Sequence, residues 1–179
     1  MSFTLKLEVH REQWKNDFES EAACIQLVLG PALKILHHIG STAIPGIYAK
    51  PIIDMLAEVE SLALIDARQK EIEALGYTAM GEFGIRGRRY FRKDDSAGNR
   101  SHHLHIFVSG SPHAMRHLAF RDYLRAHPDI AREYSELKQR VAGSCSGNME
   151  AYMDGKDAFI KGVEKQALLW TKAASTRAD

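Results

Sequence analysis

The chain has 179 residues, 45% of them apolar and 26% charged, which is enough apolar material for a hydrophobic core and too much for a disordered chain. Its 24 basic residues nearly cancel 23 acidic ones, leaving a formal net charge of +1, so no global field draws it to DNA, RNA or an anionic membrane and any anion site must be local. No stretch approaches the ~20 apolar residues that cross a bilayer, and Met1 to His10 lacks the apolar centre of a signal peptide; the expectation is cytoplasmic residence with neither nucleic-acid nor membrane partners.

In chain order, Trp14, Phe18, Ala22, Ile25 and Leu29 recur at helical intervals between Arg11 and Leu29, and Gly30-Pro31 ends that amphipathic helix. Lys34 to Ile39, a loop of small residues from Gly40 to Ala49, and Pro51 to Val59 read as strand, loop and strand. Leu64, Ile65, Ala67, Ile72 and Leu75 give a second helix over Ser61 to Leu75, closed by Gly76 in the left-handed cap position. Tyr77 to Phe83, Arg88 to Lys93 and Ser101 to Val108 are β-prone runs, the last two joined by the polar turn Asp94 to Asn99, and they predict a meander of three antiparallel strands. Helical spacing returns in Pro112 to Ala126, Pro128 to Val141 and Glu150 to Ala174, so the last third is helical. Strands first and helices afterwards specify an α+β fold: a small mixed, largely antiparallel sheet with helices packed on it. The one candidate linker, Gly143 to Asn148, is too short to divide the chain, so residues 1–179 read as a single domain. Cys24 and Cys145 stand apart and support neither a disulfide framework nor a zinc knuckle.

The chemistry concentrates in His37 to Val59, HHIGSTAIPGIYAKPIIDMLAEV. Gly40 permits close backbone approach, Ser41 and Thr42 offer hydroxyls, and amides of such a loop converge on phosphate oxygens. Alternation puts Asp54, Leu56 and Glu58 on one face of the following strand, where Asp54 needs either a hard cation or a basic partner because an unpaired buried charge is costly. His103 and His105 share a face with Phe107 on a later strand; either they complete a metal site with Asp54, or one acts as a general base, or both are hydrogen-bonding residues of the sheet. Arg86, Arg88, Arg89, Arg92 and Lys93 form a basic strand suited to phosphate, with Arg88 and Arg92 on one face. Lys50 precedes the Asp54 strand, and Tyr152 and Lys156 lie four apart on the last helix, where they either close over a nucleotide or simply pair on the helix surface.

The segment HIGSTAIPGIYAKPIID resembles the signature of the GrpB family, small bacterial proteins that also occur fused to dephospho-CoA kinase. GRRYFRK, HHLHIF, LAFRDYLRAHP and YMDGKDAFI are similar to that family too, so the resemblance spans nearly the whole chain. It implies a fold related to the polymerase-β-type nucleotidyltransferases, in which a Gly-Ser turn grips a triphosphate and paired strand carboxylates bind two magnesium ions. Leu56 stands where the second of those carboxylates belongs, and Glu58 one step further along the same face is the candidate replacement.

The expected activity is Mg²⁺-dependent transfer of a nucleotidyl group from a nucleoside triphosphate to a small acceptor, Mn²⁺ being the alternative cation. Asp54 and Glu58 would hold the metal, Asp54, His103 and His105 would be catalytic, and Gly40, Ser41, Thr42, Lys50, Arg88, Arg92, Tyr152 and Lys156 would bind nucleotide or another phosphorylated small molecule. The alternatives are a noncatalytic nucleotide- or coenzyme-binding module, docking on an enzyme of the coenzyme A pathway, and a phosphohydrolase built on a histidine-held metal.

Overall fold

The computed structural model describes residues 6–176 of the chain. Helix α1 (Gln13–Leu29) leads through a 3-10 turn at Gly30–Ala32 into β1 (Leu33–Ile39), and a loop carrying a second 3-10 turn, Ser41–Ala43, leads into β2 (Ile53–Val59). Two short helices follow, α2 (Leu62–Asp66) and α3 (Gln69–Ala74), then β3 (Tyr77–Ala79), β4 (Arg88–Asp94) and β5 (Arg100–Val108). The chain ends in α4 (Pro112–Ala126), α5 (Pro128–Ser144) and α6 (Met149–Thr176). The five strands form one sheet in the order β1-β2-β5-β4-β3, antiparallel except where β2 and β5 run parallel. This is the mixed, mostly antiparallel α+β architecture that the order of elements specifies.

Two elements differ from the sequence expectation. The helical run beginning at Ser61 breaks at Arg68, whose backbone (φ −107°, ψ 10°) leaves the helical region, so one expected helix becomes two. The β-prone run from Tyr77 stops pairing as a strand at Ala79 because Gly81, Phe83 and Gly84 all adopt positive φ and turn the chain toward β4.

Alternation along the strands divides the sheet into two unlike faces. Ile53, Met55, Ala57 and Val59 join Leu104, Ile106 and Phe91 beneath α1, α2 and α3, in a buried cluster completed by Trp14, Ile25, Leu29, Ile65 and Ile72. The opposite face carries Asp54, Leu56 and Glu58 on β2 and, directly beside them, His103, His105 and Phe107 on β5. Here the apolar contact is smaller: Ile39, Leu56 and Phe107 meet Ala114 of α4. The rest of this face looks toward α5 and α6, whose own cluster reaches Ile44 and Ile47 in the loop after β1. Among the described residues no helix is long and apolar enough to cross a membrane.

Candidate functional site

The Gly-Ser turn and the strand acid meet directly. Gly40 adopts φ 71°, and a Cβ placed on it would lie 2.4 Å from Oδ2 of Asp54. Glycine is therefore required twice, for the left-handed backbone and for the carboxylate pressed against it. Register does the rest: Ile39 pairs with Asp54 across β1 and β2, and Asp54 pairs with His103 across β2 and β5. His103 Nδ1 lies 2.9 Å from Asp54 Oδ1, and His105 Nε2 lies 3.9 Å from the same oxygen. Burial alone would raise the pKa of Asp54, but its hydrogen bond to His103 and the nearby ring of His105 outweigh that effect and hold the carboxyl well below the usual carboxylate range.

Above this cluster a cavity of about 360 Å³ opens between the sheet and the C-terminal helices. Its floor is Gly40, Ser41, Asp54, His103 and His105, and its far wall carries Lys50, Lys138, Tyr152 and Lys156. Lys138 of α5 is 2% exposed. Its Nζ donates to Ser41 Oγ at 3.0 Å and to the Tyr48 carbonyl, and it sits 4.5 Å from the Tyr134 ring centroid. Burial, with help from the charge of Lys156, pushes the Lys138 ammonium down to about 7. Burial likewise brings Lys156 to about 8, with Lys50 adding repulsion, and lowers Lys50 itself. Three amines held below their ordinary range around one cavity favour a bound anion, which restores the charge that burial penalises.

Not every expected residue takes part. Thr42 lines the cavity, but its hydroxyl is engaged with His38 Nε2 at 2.9 Å and the Ile52 carbonyl at 3.3 Å, so it braces the turn instead of offering a free hydroxyl. Glu58 lies outside the cavity: its carboxylate is bonded to His37, Ser109 and the Gly110 amide, so it does not supply the second carboxylate expected of it. Arg88 is buried with its guanidinium donating to the Glu82 and Phe83 carbonyls, which ties down the loop before β4, and neither Arg88 nor Arg92 lines the cavity. Tyr152 is 1% exposed, with the ammonium groups of Lys50 and Lys156 at 4.8 and 4.2 Å from its ring centroid. It thus orients two cations, and its near-complete burial leaves little ring surface for a base.

Other residues at the cavity were not anticipated. Lys138 falls on the stripe Ala131, Tyr134, Ser135, Lys138, all buried; a lysine in phase with the apolar face of a helix is the signal that identifies it. His117 of α4 packs 5.6 Å from the His105 ring, burial holds its pKa near 3, and its buried Nε2 has no protein partner. Arg116 and Glu164, paired at 2.5 Å, close the cavity between α4 and α6.

The cluster that can hold a cation consists, among the described residues, of Asp54, His103 and His105, each offering one donor atom within 4.8 Å of the others. One carboxylate and two imidazoles match Mg²⁺ poorly, since that ion favours oxygen ligands and gives up its water reluctantly. A pair of magnesium ions would need carboxylates that Leu56, fully buried, and Glu58, engaged elsewhere, do not provide.

The family model described as "GrpB protein" matches residues 4–166. The chain belongs to the GrpB family. Among relatives, the UPF0157 protein YqkA of Bacillus subtilis (strain 168) is 45% identical over 168 residues, which cover 94% of this chain and 48% of YqkA. This chain therefore spans about half the length of that relative. The crystal structure of conserved protein GrpB from Enterococcus faecalis superimposes with a TM-score of 0.88 at 42% identity, covering 93% of this chain and 99% of that one. A more distant likeness, to Cid1 in complex with its short product ApU, has a TM-score of 0.51 at 12% identity over 73% of this chain and 41% of Cid1. At that identity the likeness concerns the fold alone: this chain shares the fold of the matching part of Cid1.

Proposed function

We propose that this GrpB protein binds the phosphates of a nucleoside triphosphate in the cavity and transfers a nucleotidyl group to a small acceptor. The observation that carries the reading is the meeting of Gly40 and Asp54 at the floor of a cavity whose far wall holds Lys50, Lys138 and Lys156. Ser41 Oγ and the amides after Gly40 suit one phosphate, and the three amines suit the negative charge of the others. In the transfer an acceptor oxygen forms a bond to the α-phosphorus, the bond to the bridging oxygen of pyrophosphate breaks, and the hydroxyl proton passes to solvent. The amines stabilise charge gathering on the leaving group, and their partial burial strengthens that interaction. The likeness in fold to Cid1, whose structure holds ApU, adds support from architecture without assigning a substrate.

Calorimetric titration with UTP, ATP and inorganic tripolyphosphate at pH 6.5, in EDTA and again with Mn²⁺, tests the binding. Affinity should fall at least tenfold in Lys156→Met, and pyrophosphate release in the presence of hydroxyl-bearing metabolites reports transfer. Absence of binding by any triphosphate under either condition overturns the proposal. The second reading, a noncatalytic nucleotide-binding module, is favoured by one observation, the fully buried Leu56 in place of a carboxylate. Nucleotide recovered intact after prolonged incubation with Mn²⁺ and acceptors would select it.

A further inference from the structure

The donor set beside Gly40 has a chemistry of its own. We infer that Asp54, His103 and His105 form a mononuclear site for a divalent transition metal, of the kind that Mn²⁺, Fe²⁺, Co²⁺ or Zn²⁺ fills, and not a site for a magnesium pair. The assignment shares the cavity of the nucleotide reading but does not depend on it, because the metal is measured without nucleotide.

Imidazole nitrogen is a softer donor than carboxylate oxygen and shifts preference from Mg²⁺ toward the first-row transition metals; two histidines and one carboxylate with open positions is a set those ions use. The three residues sit on the two central neighbouring strands in fixed register, Asp54 opposite His103 and Leu56 opposite His105. Their side chains are also held. Gly40 presses on Asp54 Oδ2, leaving Oδ1 as the oxygen nearest both rings. Tyr90 stacks on His105 at 5.2 Å between ring centroids and meets His103 edge-on at 5.7 Å. Donors around a cation at about 2.1 Å stand about 3.0–3.4 Å apart; Asp54 Oδ1 and His103 Nδ1 are already at 2.9 Å, and His105 Nε2, at 3.9 Å from the same oxygen, has to close by about 0.5–1 Å, a matter of side-chain rotation.

One contact has to be exchanged. Arg88 Nη1 stands 3.4 Å from His105 Nδ1, the long end of a hydrogen bond. Ligation through Nε2 moves the ring proton of neutral His105 to Nδ1 and gives that contact up. The guanidinium stays where it is, since Nε and Nη2 keep the Glu82 and Phe83 carbonyls. Lys138 and Lys156 line the same cavity as the three donors, so an anion bound there lies within the same enclosure as the metal site.

Titration of the full, chelator-dialysed chain with Co²⁺ tests the site, because nitrogen ligation changes the visible spectrum of the ion. One Co²⁺ per chain is expected, with shifted and intensified bands, displaced by stoichiometric Zn²⁺ and not by a hundredfold excess of Mg²⁺. His103→Ala and His105→Gln should each weaken Co²⁺ by at least about tenfold. His103→Asp, which restores an oxygen donor, should raise Mg²⁺ affinity relative to Co²⁺; circular dichroism and melting temperature verify that each variant is folded. A spectrum that remains that of hydrated Co²⁺, displacement by equimolar Mg²⁺, or undiminished Co²⁺ affinity in folded His103→Ala or His105→Gln each overturns the assignment. Metal binding of this kind alongside no triphosphate binding would sink only the nucleotide reading, and the reverse result would sink only the metal site.

Discussion

Replacing Lys138 with methionine separates what the cavity costs from what it does. Lys138 is 2% exposed and its pKa is about 7 in the folded chain against an ordinary 10.5. At pH 7 the unfolded lysine is fully protonated while the folded one is half so, a difference of about 4 kcal/mol against the folded state. Between about pH 7 and 10.5 the unfolded chain binds more protons, so this contribution makes wild-type stability rise with pH and then level off. At pH 9 the remaining cost is about 2 kcal/mol. Lys138→Met removes the cost but orphans the Tyr48 carbonyl, a loss of about 1–3 kcal/mol. The variant should therefore be more stable than wild type by about 1–3 kcal/mol at pH 7, and the gap should narrow by about 2 kcal/mol at pH 9. Relief of Lys156, which shares the repulsion, acts in the same direction. Urea unfolding at both pH values measures the gap, and triphosphate affinity should drop at least tenfold in the same protein. A gap that stays constant between pH 7 and 9 would refute the account of Lys138 as a buried, strained ammonium.

Three further outcomes are expected. Gly40→Ala forces a Cβ against Asp54 Oδ2 at a positive φ and should cost about 2–4 kcal/mol of stability, together with the loss of Co²⁺ and triphosphate binding in calorimetry. Triphosphate affinity should weaken as pH rises from 6 to 9, because Lys138 and Lys156, at about 7 and 8, lose the charge that the anion uses; titrations in buffers of different ionisation enthalpy should show proton uptake near neutral pH. Glu58→Gln should leave metal and triphosphate affinity within about twofold of wild type and lower stability by about 1 kcal/mol. Although burial acts to raise the Glu58 pKa, its bonds to His37, Ser109 and Gly110 lower it overall, so its stabilisation is present at neutral pH and lost as pH falls through the acid range, which acid-titrated thermal melts of wild type and variant would reveal.

What the sequence disclosed depended on how local each contact is. Gly40 and Asp54 are joined by one loop between adjacent strands, so a glycine, two hydroxyl residues and an acid in succession already describe a shared pocket. Alternation placed Glu58 on the same face as Asp54, but four residues along a strand is about 13 Å, and only the register with β1, which brings His37 within 3.0 Å, decides what that carboxylate binds. Arg88 misleads for a related reason: a basic residue on a strand looks ready for phosphate until its burial and its carbonyl partners in the preceding loop are known. Lys138 is a long-range case. It contacts Ser41 across 97 residues of chain, and nothing in either segment names the other. His103 and His105 were identifiable as a pair, but their place beside Asp54 comes from the parallel pairing of β2 with β5, a topological fact that periodicity does not encode.

The parallel strands at the centre of the sheet contribute the acid and imidazoles, while α5 and α6 contribute Lys138 and Lys156. Recognition is thus divided between two halves of the chain, and neither half holds a complete binding set. A fragment ending at Val108 would keep the cation donors and lose two of the three amines, whereas the isolated helices would bring together ammonium groups with nothing to answer them. An anion bridging both halves works as mortar: it relieves repulsion on one side while fastening that side to the other, so occupancy and the cohesion of the layers rise together.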